Sequence, residues 1–399
     1  MDHRTHERER PALHGVVTQQ GTPEHPPRRR LQPPGRASAL VPLLLALVLA
    51  ALVSAVAGGL VRAGALHPAP GWAGDWMGRA AISHGALMIC GFMGTVIGME
   101  RAVAVKLKLA WLAPLASSMA ALCLLQGAVA WAGALFAVAA LAFVGVNLVV
   151  VWRQRAPHTL VLLLSALAWL VGCTTFLLRP TDPASVPWWF AFLVMTIAAE
   201  RLEMTRLMRR RPGAQVALAL VLVLMAAGAA AGAAYPRAGG VAFGLSLLLL
   251  AAWLGVFDIA RRTVRSDGLA RYMALCLLGG YAWLAVAGAA WAATALGLAL
   301  RDVALHALGL GFIVSMMMGH APVILPAIAR IKLRFGNWFY GPLAALHLSL
   351  AVRLGLGLES PAWRSAGAVL NAASMALFGA TMVAAALAWR RHASNATRR

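Results

Sequence analysis

Five histidines lie within or beside long apolar stretches of this 399-residue chain: His84, His158, His306, His320 and His347. Imidazole both ligates metals and changes charge near neutral pH, so the placement of these five decides what chemistry is open. His84 stands five residues beyond Arg79, and His306 five residues beyond Arg301. At about 1.5 Å per residue, each lies roughly 7–8 Å below its flanking arginine. Two imidazoles at matched depth on different helices are what axial ligation of one haem, or a shared metal, requires. His320 follows His306 by fourteen residues, close to the same helix face and about 21 Å deeper. His347 is nine residues past Trp338, about 13 Å from that flank. His320 precedes Arg330 by ten residues, which gives it a similar depth. The expectation is therefore an outer pair, His84 and His306, for haem. An inner pair, His320 and His347, would form a second site for copper or another metal. His158 adjoins Pro157 at a span boundary and is set aside. Each of the four could equally be an interhelical hydrogen-bond partner, a contact of under about 2 kcal/mol. Pairing by depth favours function, because ionisable groups inside a membrane mark it by default.

Other polar groups are read against these pairs. Arg353, six residues past His347, is either a partner for a haem propionate or an arginine whose head reaches the surface. Glu100-Arg101 and Glu200-Arg201 either fix span ends or, with His320, form a proton path. The methionines Met316, Met317 and Met318, with Met88, Met93 and Met99, could ligate Cu(I). Three consecutive helical positions point three ways, however, so packing is the better account. Cys90, Cys123, Cys173 and Cys276 fall in four different spans without a CxxC, and read as packing residues.

Twelve apolar stretches must position these groups: 38–60, 80–99, 111–130, 132–152, 158–178, 187–203, 214–234, 239–259, 271–293, 303–327, 338–358 and 365–389. About 20 apolar residues cross roughly 30 Å of hydrocarbon. With 61% apolar and 12% charged residues, the expected fold is an all-α polytopic membrane domain over 38–389. It is flanked by a disordered basic tail, 1–37, and a short basic tail, 390–399. If both ends are cytoplasmic, 28 of the 35 lysines and arginines fall on that side. Arg62, Arg79, Arg179, Arg237, Arg301, Arg353 and Arg364 are left outside, a distribution that follows the positive-inside rule. The net charge of +22 is spread over short connections and builds no nucleic-acid surface. His3, His6, His14 and His25 in the tail have no ligand spacing. Ala-, Leu- and Arg-rich, Lys-poor usage points to a GC-rich bacterium and its cytoplasmic membrane. The first outer loop, Val61–Met77, carries His67, Trp72 and Trp76, and is either a lid over the outer pair or a plain connector.

The second, sixth and tenth spans share a pattern. Gly91-Phe92 leads to Glu100, Ala191-Phe192 to Glu200, and Gly311-Phe312 to His320, with eight residues from Phe to polar group each time. A period of four spans is what a three-by-four pseudo-symmetric bundle gives, and internal repeats place sites at their common axis.

His84-Gly85-Ala86-Leu87 leading to Gly91-Phe92, and Leu305-His306-Ala307-Leu308 leading to Gly311 and Gly319-His320, resemble the NnrS family. Those are twelve-span bacterial membrane proteins associated with haem, copper and the response to nitric oxide. The matching residues cover under a tenth of the chain. Ile82-Ser83-His84-Gly85 stands where the family commonly has a His-x-His-Glu group, and Ala321-Pro322-Val323 where Thr-Gly-Arg often follows the Gly-His. A weaker likeness is to the catalytic subunit of haem-copper oxidases, with low-spin haem between spans 2 and 10. Residues 214–234 contain no histidine, so that subunit's oxygen-reducing centre has no counterpart.

The resemblance and the residues together imply a membrane haem, or haem/copper, protein in electron transfer or nitric-oxide sensing and tolerance. It would sit in the bilayer with a redox partner and without nucleic acid. The alternative is a secondary transporter using Glu100, Glu200 and His320 as a proton path. A third reading is an assembly factor whose histidines only pack.

Overall fold

A computed structural model describes residues 37–68, 70–204, 213–329 and 331–396. The N-terminal tail with its four histidines, residues 397–399 and Arg330 lie outside the described residues. Those described form helices and connections, with no strand. Eleven helices are long and apolar enough to cross a membrane. These are α1 (Leu40–Arg62), α2 (His84–Val105), α3 (Lys108–Leu125), α4 (Val129–Arg153), α5 (Pro157–Leu178), α7 (Ala214–Ala231), α8 (Pro236–Phe257), α9 (Gly268–Ala295), α10 (Arg301–Ala329), α11 (Asn337–Leu358) and α12, the last running over Pro361–Ala396. The stretch expected at 187–203 forms α6 (Ser185–Met204). Its 20 residues span roughly 30 Å, but Pro187, two tryptophans, Glu200 and Arg201 dilute its hydropathy. The protein is an all-α polytopic membrane protein.

Consecutive helices pack as neighbours through α2–α6, through α7–α10, and as the pair α11–α12. The second, sixth and tenth helices meet one another. α2 touches both α6 and α10, and Arg201 of α6 reaches His320 of α10. The same three helices carry the Phe-to-polar pattern, and Phe92, Phe192 and Phe312 are all buried. An aromatic cluster locks α2 to α4, α5 and α6. Trp169 stacks on Phe192 at 4.8 Å, Phe143 meets both rings edge-on, and the Trp169 indole N–H points at Cys90 Sγ, 3.4 Å away. Each such aromatic pair adds about 0.5–1.5 kcal/mol beyond burial.

Between lipid-facing helices apolar burial drives little, so backbones approach closely where side chains are smallest. α8 and α9 cross at Gly244 and Gly288. A Cβ at Gly288 would stand 2.7 Å from the Gly244 carbonyl oxygen and 2.8 Å from Leu248 N. Backbone cannot yield as a flexible side chain can. Gly288→Val is therefore expected to destabilise the detergent-solubilised protein by about 1–3 kcal/mol or more, read as a lowered thermal midpoint. Gly255→Ala, with open space around it, should leave the midpoint unchanged.

Candidate functional site

His84 opens α2, directly after the short helix Trp72–Ile82 ends at Ser83. Its ring lies against α1 at Gly59, where a Cβ would come within 2.8 Å of His84 Cε1. Glycine at that position is what lets the imidazole reach the α1 backbone. There Nδ1 lies 2.7 Å from the Ala55 carbonyl oxygen. A carbonyl only accepts, so Nδ1 carries the proton and the lone pair belongs to Nε2.

His306 ends the first turns of α10 and repeats the arrangement with different groups. Its Nδ1 is 3.0 Å from the backbone oxygen of Asp302 and 3.0 Å from the same residue's Oδ1. Both are acceptors, which again puts the proton on Nδ1 and leaves the lone pair on Nε2. Asp302 is held in turn by Arg353 of α11, which donates from Nε to Oδ2 at 3.2 Å and from Nη2 to Oδ1 at 3.0 Å. This two-pronged geometry fixes the plane of the carboxylate as well as its position. Arg353 is thus the clamp of the carboxylate that orients His306, a role that neither of its sequence readings contained.

The two rings lie 6.4 Å apart, centre to centre, with planes 27° from parallel. Two metal–nitrogen bonds of about 2.0–2.1 Å, added to the ring radii on either side, separate imidazole centres by roughly 6.4 Å. The centre-to-centre spacing alone is thus the one that two imidazoles on one metal ion would have. Ligating histidines also characteristically give their other N–H to a carbonyl or carboxylate, which fixes tautomer and ring direction. His84 and His306 both do so. Among the described residues neither Nε2 makes a hydrogen bond. Two imidazoles with both Nδ1 protons committed are a donor set of the kind that ligates a metal.

Immediately after each histidine the helix changes its winding. Leu87–Gly94 in α2 and Ala307–Val314 in α10 are π-helical, eight residues each. Such wide turns are rare and concentrate at functional sites. Hydroxyls brace the two segments where plain winding resumes. Thr95 donates to the Gly91 carbonyl inside α2 at 2.6 Å, and Ser315 of α10 donates to the Cys276 carbonyl of α9 at 2.8 Å.

The inner histidines are held by different partners. His320 gives its Nδ1 proton to the Met316 carbonyl at 2.8 Å and accepts Arg201 Nη2 on Nε2 at 3.0 Å. His347 accepts the Trp283 indole N–H on Nδ1 at 2.8 Å, so its neutral ring carries the proton on Nε2. That ring rests on Gly279, where a Cβ would come within 2.9 Å of Nε2. Hence neither His320 nor His347 offers a free lone pair in this arrangement. Among the described residues no group of three or more His, Cys, Asp or Glu is placed to hold a metal ion. Glu100 and Glu200 do gather near His320, together with Arg101 and Arg201.

Sequence reasoning missed Asp302, Asp258, Trp283, Gly59 and the Ala55 carbonyl. Asp302 carried a readable signal, since it lies four residues before His306, one helical turn away. The others act across helices and leave no local trace.

The sequence model of a family described as a domain of unknown function, DUF8744, matches residues 40–387. The chain belongs to that family. No curated protein and no solved structure matches it. The DUF8744 region includes α1–α11 and most of α12, so both the His84–His306 pair and the Arg201–His320 contact lie inside it.

The Arg353–Asp302 clamp is testable apart from any ligand. Arg353 is buried and Asp302 is 36% exposed, so solvent screens part of the attraction. A double-mutant cycle of Asp302→Asn and Arg353→Gln is expected to give a coupling of about 1–2 kcal/mol, measured by unfolding in detergent.

Proposed function

We propose that this protein binds a haem between His84 and His306 and works in membrane electron transfer. The observation that carries the reading is the matched state of the two rings. Each has its Nδ1 proton committed to a fixed acceptor, and the ring centres are 6.4 Å apart. A structural histidine needs one good partner and no such match. Bound there, haem would supply one-electron chemistry, and two imidazole ligands would leave no open position for a gas. This favours electron transfer over nitric-oxide chemistry at the outer pair.

The chain's own groups do three things in this reading. Ala55 and Asp302 set the tautomers, which leaves both Nε2 lone pairs for a ligand. Arg353 holds the Asp302 carboxylate in plane, which fixes the direction of the His306 ring. Gly59 sets how far the His84 ring may withdraw towards α1. Copper at His320 and His347 is not proposed, because Arg201 and Trp283 already occupy the nitrogens concerned. The distribution of arginine and lysine supports cytoplasmic ends, the Arg-rich, Lys-poor composition a bacterial cytoplasmic membrane, and with cytoplasmic ends the histidine pair would lie towards the outer surface.

Oxidised and dithionite-reduced absorption spectra of the detergent-purified protein, made with ample haem supply, test this reading. A sharp reduced α-band is expected, and it should vanish in both His84→Ala and His306→Ala. Gly59→Ala should shift or weaken the band, because its methyl displaces the His84 ring. A featureless spectrum from well-folded protein would remove the haem reading. Orientation is tested separately by single cysteines in a Cys123→Ala background. Arg364→Cys is expected to react with an impermeant maleimide on intact spheroplasts, and Arg265→Cys only after lysis. The opposite pattern would invert the topology.

A further inference from the structure

Besides the histidine pair, a second polar cluster gathers around Arg201: Glu100, Glu200, His320 and Asp258, with Tyr281 beside Asp258. A different feature runs along α6. α5 and α7 each pack on α6, and a groove of about 410 Å³ stays open between them. Leu160 and Leu164 of α5 stand on one wall and Ala219 and Val223 of α7 on the other, over Trp188, Met195 and Leu202 of α6. Those three α6 residues are seven apart, two turns of helix, so they lie in one row. Met195 and Leu202 are buried and form the floor. Among the described residues, Gln215 of α7 is the one amide or charged side chain in the lining.

The dimensions of the groove select its occupant. Pro157, Leu202 and Gln215 mark one end, and Val171, Trp188 and Ala226 the other. Pro157 to Val171 is fourteen residues, roughly 21 Å along the helix axis. The 410 Å³ spread over that length leaves a mean section of roughly 20 Å². A helix with its side chains is about 10–12 Å across, roughly 80 Å² or more in section, and does not fit. A single file of methylenes fits, because carbon atoms in contact stand only about 4 Å apart. Half of a hydrocarbon core of about 30 Å is about 15 Å, so the groove takes the full depth of one leaflet's acyl chain.

The second observation is the charge at the mouth. Arg155 stands two residues before Pro157, exposed, in the extended connection that leads into α5. Its neighbour Arg153 donates to the Val105 carbonyl at 3.0 Å, whereas Arg155 makes no hydrogen bond or ion pair among the described residues. Glu203, the carboxylate next to Leu202, has a partner of its own, 3.7 Å away at His158 Nε2. Arg206 and Arg209–Arg211 follow in the chain, outside the described residues, and no part of the site is placed on them. A basic group at the mouth of a cleft between membrane helices is what an anionic lipid headgroup meets.

We infer that the groove along α5, α6 and α7 is a phospholipid site, which takes one acyl chain of an anionic phospholipid with its phosphate at Arg155. The chain runs from Pro157 towards Trp188 and covers the row of α6 that α5 and α7 leave open. Walls on two sides and a buried floor distinguish this seat from the open lipid face of α7, where Leu220 is 65% exposed. The inference does not depend on haem, and it concerns helices that carry neither His84 nor His306.

Native mass spectrometry of the full-length protein in detergent reads the site. Delipidated protein is titrated with phosphatidylglycerol and, separately, with phosphatidylcholine of the same acyl chains. The wild type is expected to take up one equivalent of phosphatidylglycerol saturably, about fivefold more tightly than phosphatidylcholine, the effect of one arginine near the surface. Ala219→Phe puts a ring into the groove from an exposed position and should abolish uptake of both lipids. Leu220→Phe, one residue on and outside the groove, should leave uptake unchanged. Arg155→Gln should erase the preference for phosphatidylglycerol while the chain still binds. Should Ala219→Phe fail to fold, Val223→Phe on the same wall takes its place. Equal affinity of the wild type for the two lipids, or a preference that survives Arg155→Gln, would overturn the inference. So would undiminished uptake by Ala219→Phe, or an equal loss in Leu220→Phe, because the lipid would then belong to the general annulus of the bundle.

Discussion

Inside hydrocarbon there is no water to absorb an unassigned lone pair or N–H, so each polar group must find its partner within the protein. That constraint organises both polar sites. At the outer pair, two imidazoles surrender their Nδ1 protons to fixed acceptors on α1 and α10. Their remaining lone pairs are thereby the unassigned ones. At the Arg201 cluster the assignment is less complete, since Nε of both Arg101 and Arg201 has no hydrogen-bond partner among the described residues.

Glycine does comparable work by what it leaves out. The α8–α9 crossing at Gly244 and Gly288 and the seat of His84 at Gly59 exist because no Cβ intervenes. His347 rests on Gly279 in the same way. In a bundle with little apolar driving force between helices, such close approaches determine which side chains can reach one another. The polar contacts are therefore a product of backbone packing as much as of the polar residues themselves.

Much of the architecture was legible in the sequence, because span length and charge sorting report directly on the bilayer. Each stretch expected from hydropathy overlaps one of α1–α12, although the ends differ by several residues: 80–99 crosses the break at Ser83 and stops short of Val105, 111–130 runs past Leu125, and α12 continues to Ala396. The four-span recurrence of Phe and a polar residue pointed at α2, α6 and α10, which do meet. Depth counting matched His84 with His306, whose rings are indeed neighbours. Depth counting also paired His320 with His347, and it could not see that Arg201 and Trp283 had claimed them. Depth is a single coordinate, whereas a partner depends on helix rotation and on what the neighbouring helix presents. The seat at Gly59 and the Asp258–Tyr281 contact lie across helix boundaries for the same reason.

The π-helical segments Leu87–Gly94 and Ala307–Val314 each stand between a histidine of the outer pair and a polar group of the second cluster. A plain α-helix advances by about 100° per residue, so one residue more or less within either segment changes the azimuth of everything beyond it. The segments therefore act like the indexed coupling of a shaft, setting which face Glu100 and His320 present once His84 and His306 are seated. Length changes in α2 or α10 are consequently not equivalent to length changes in a lipid-facing helix such as α7. A single deletion there would leave hydropathy and span count untouched while turning one polar level away from the other.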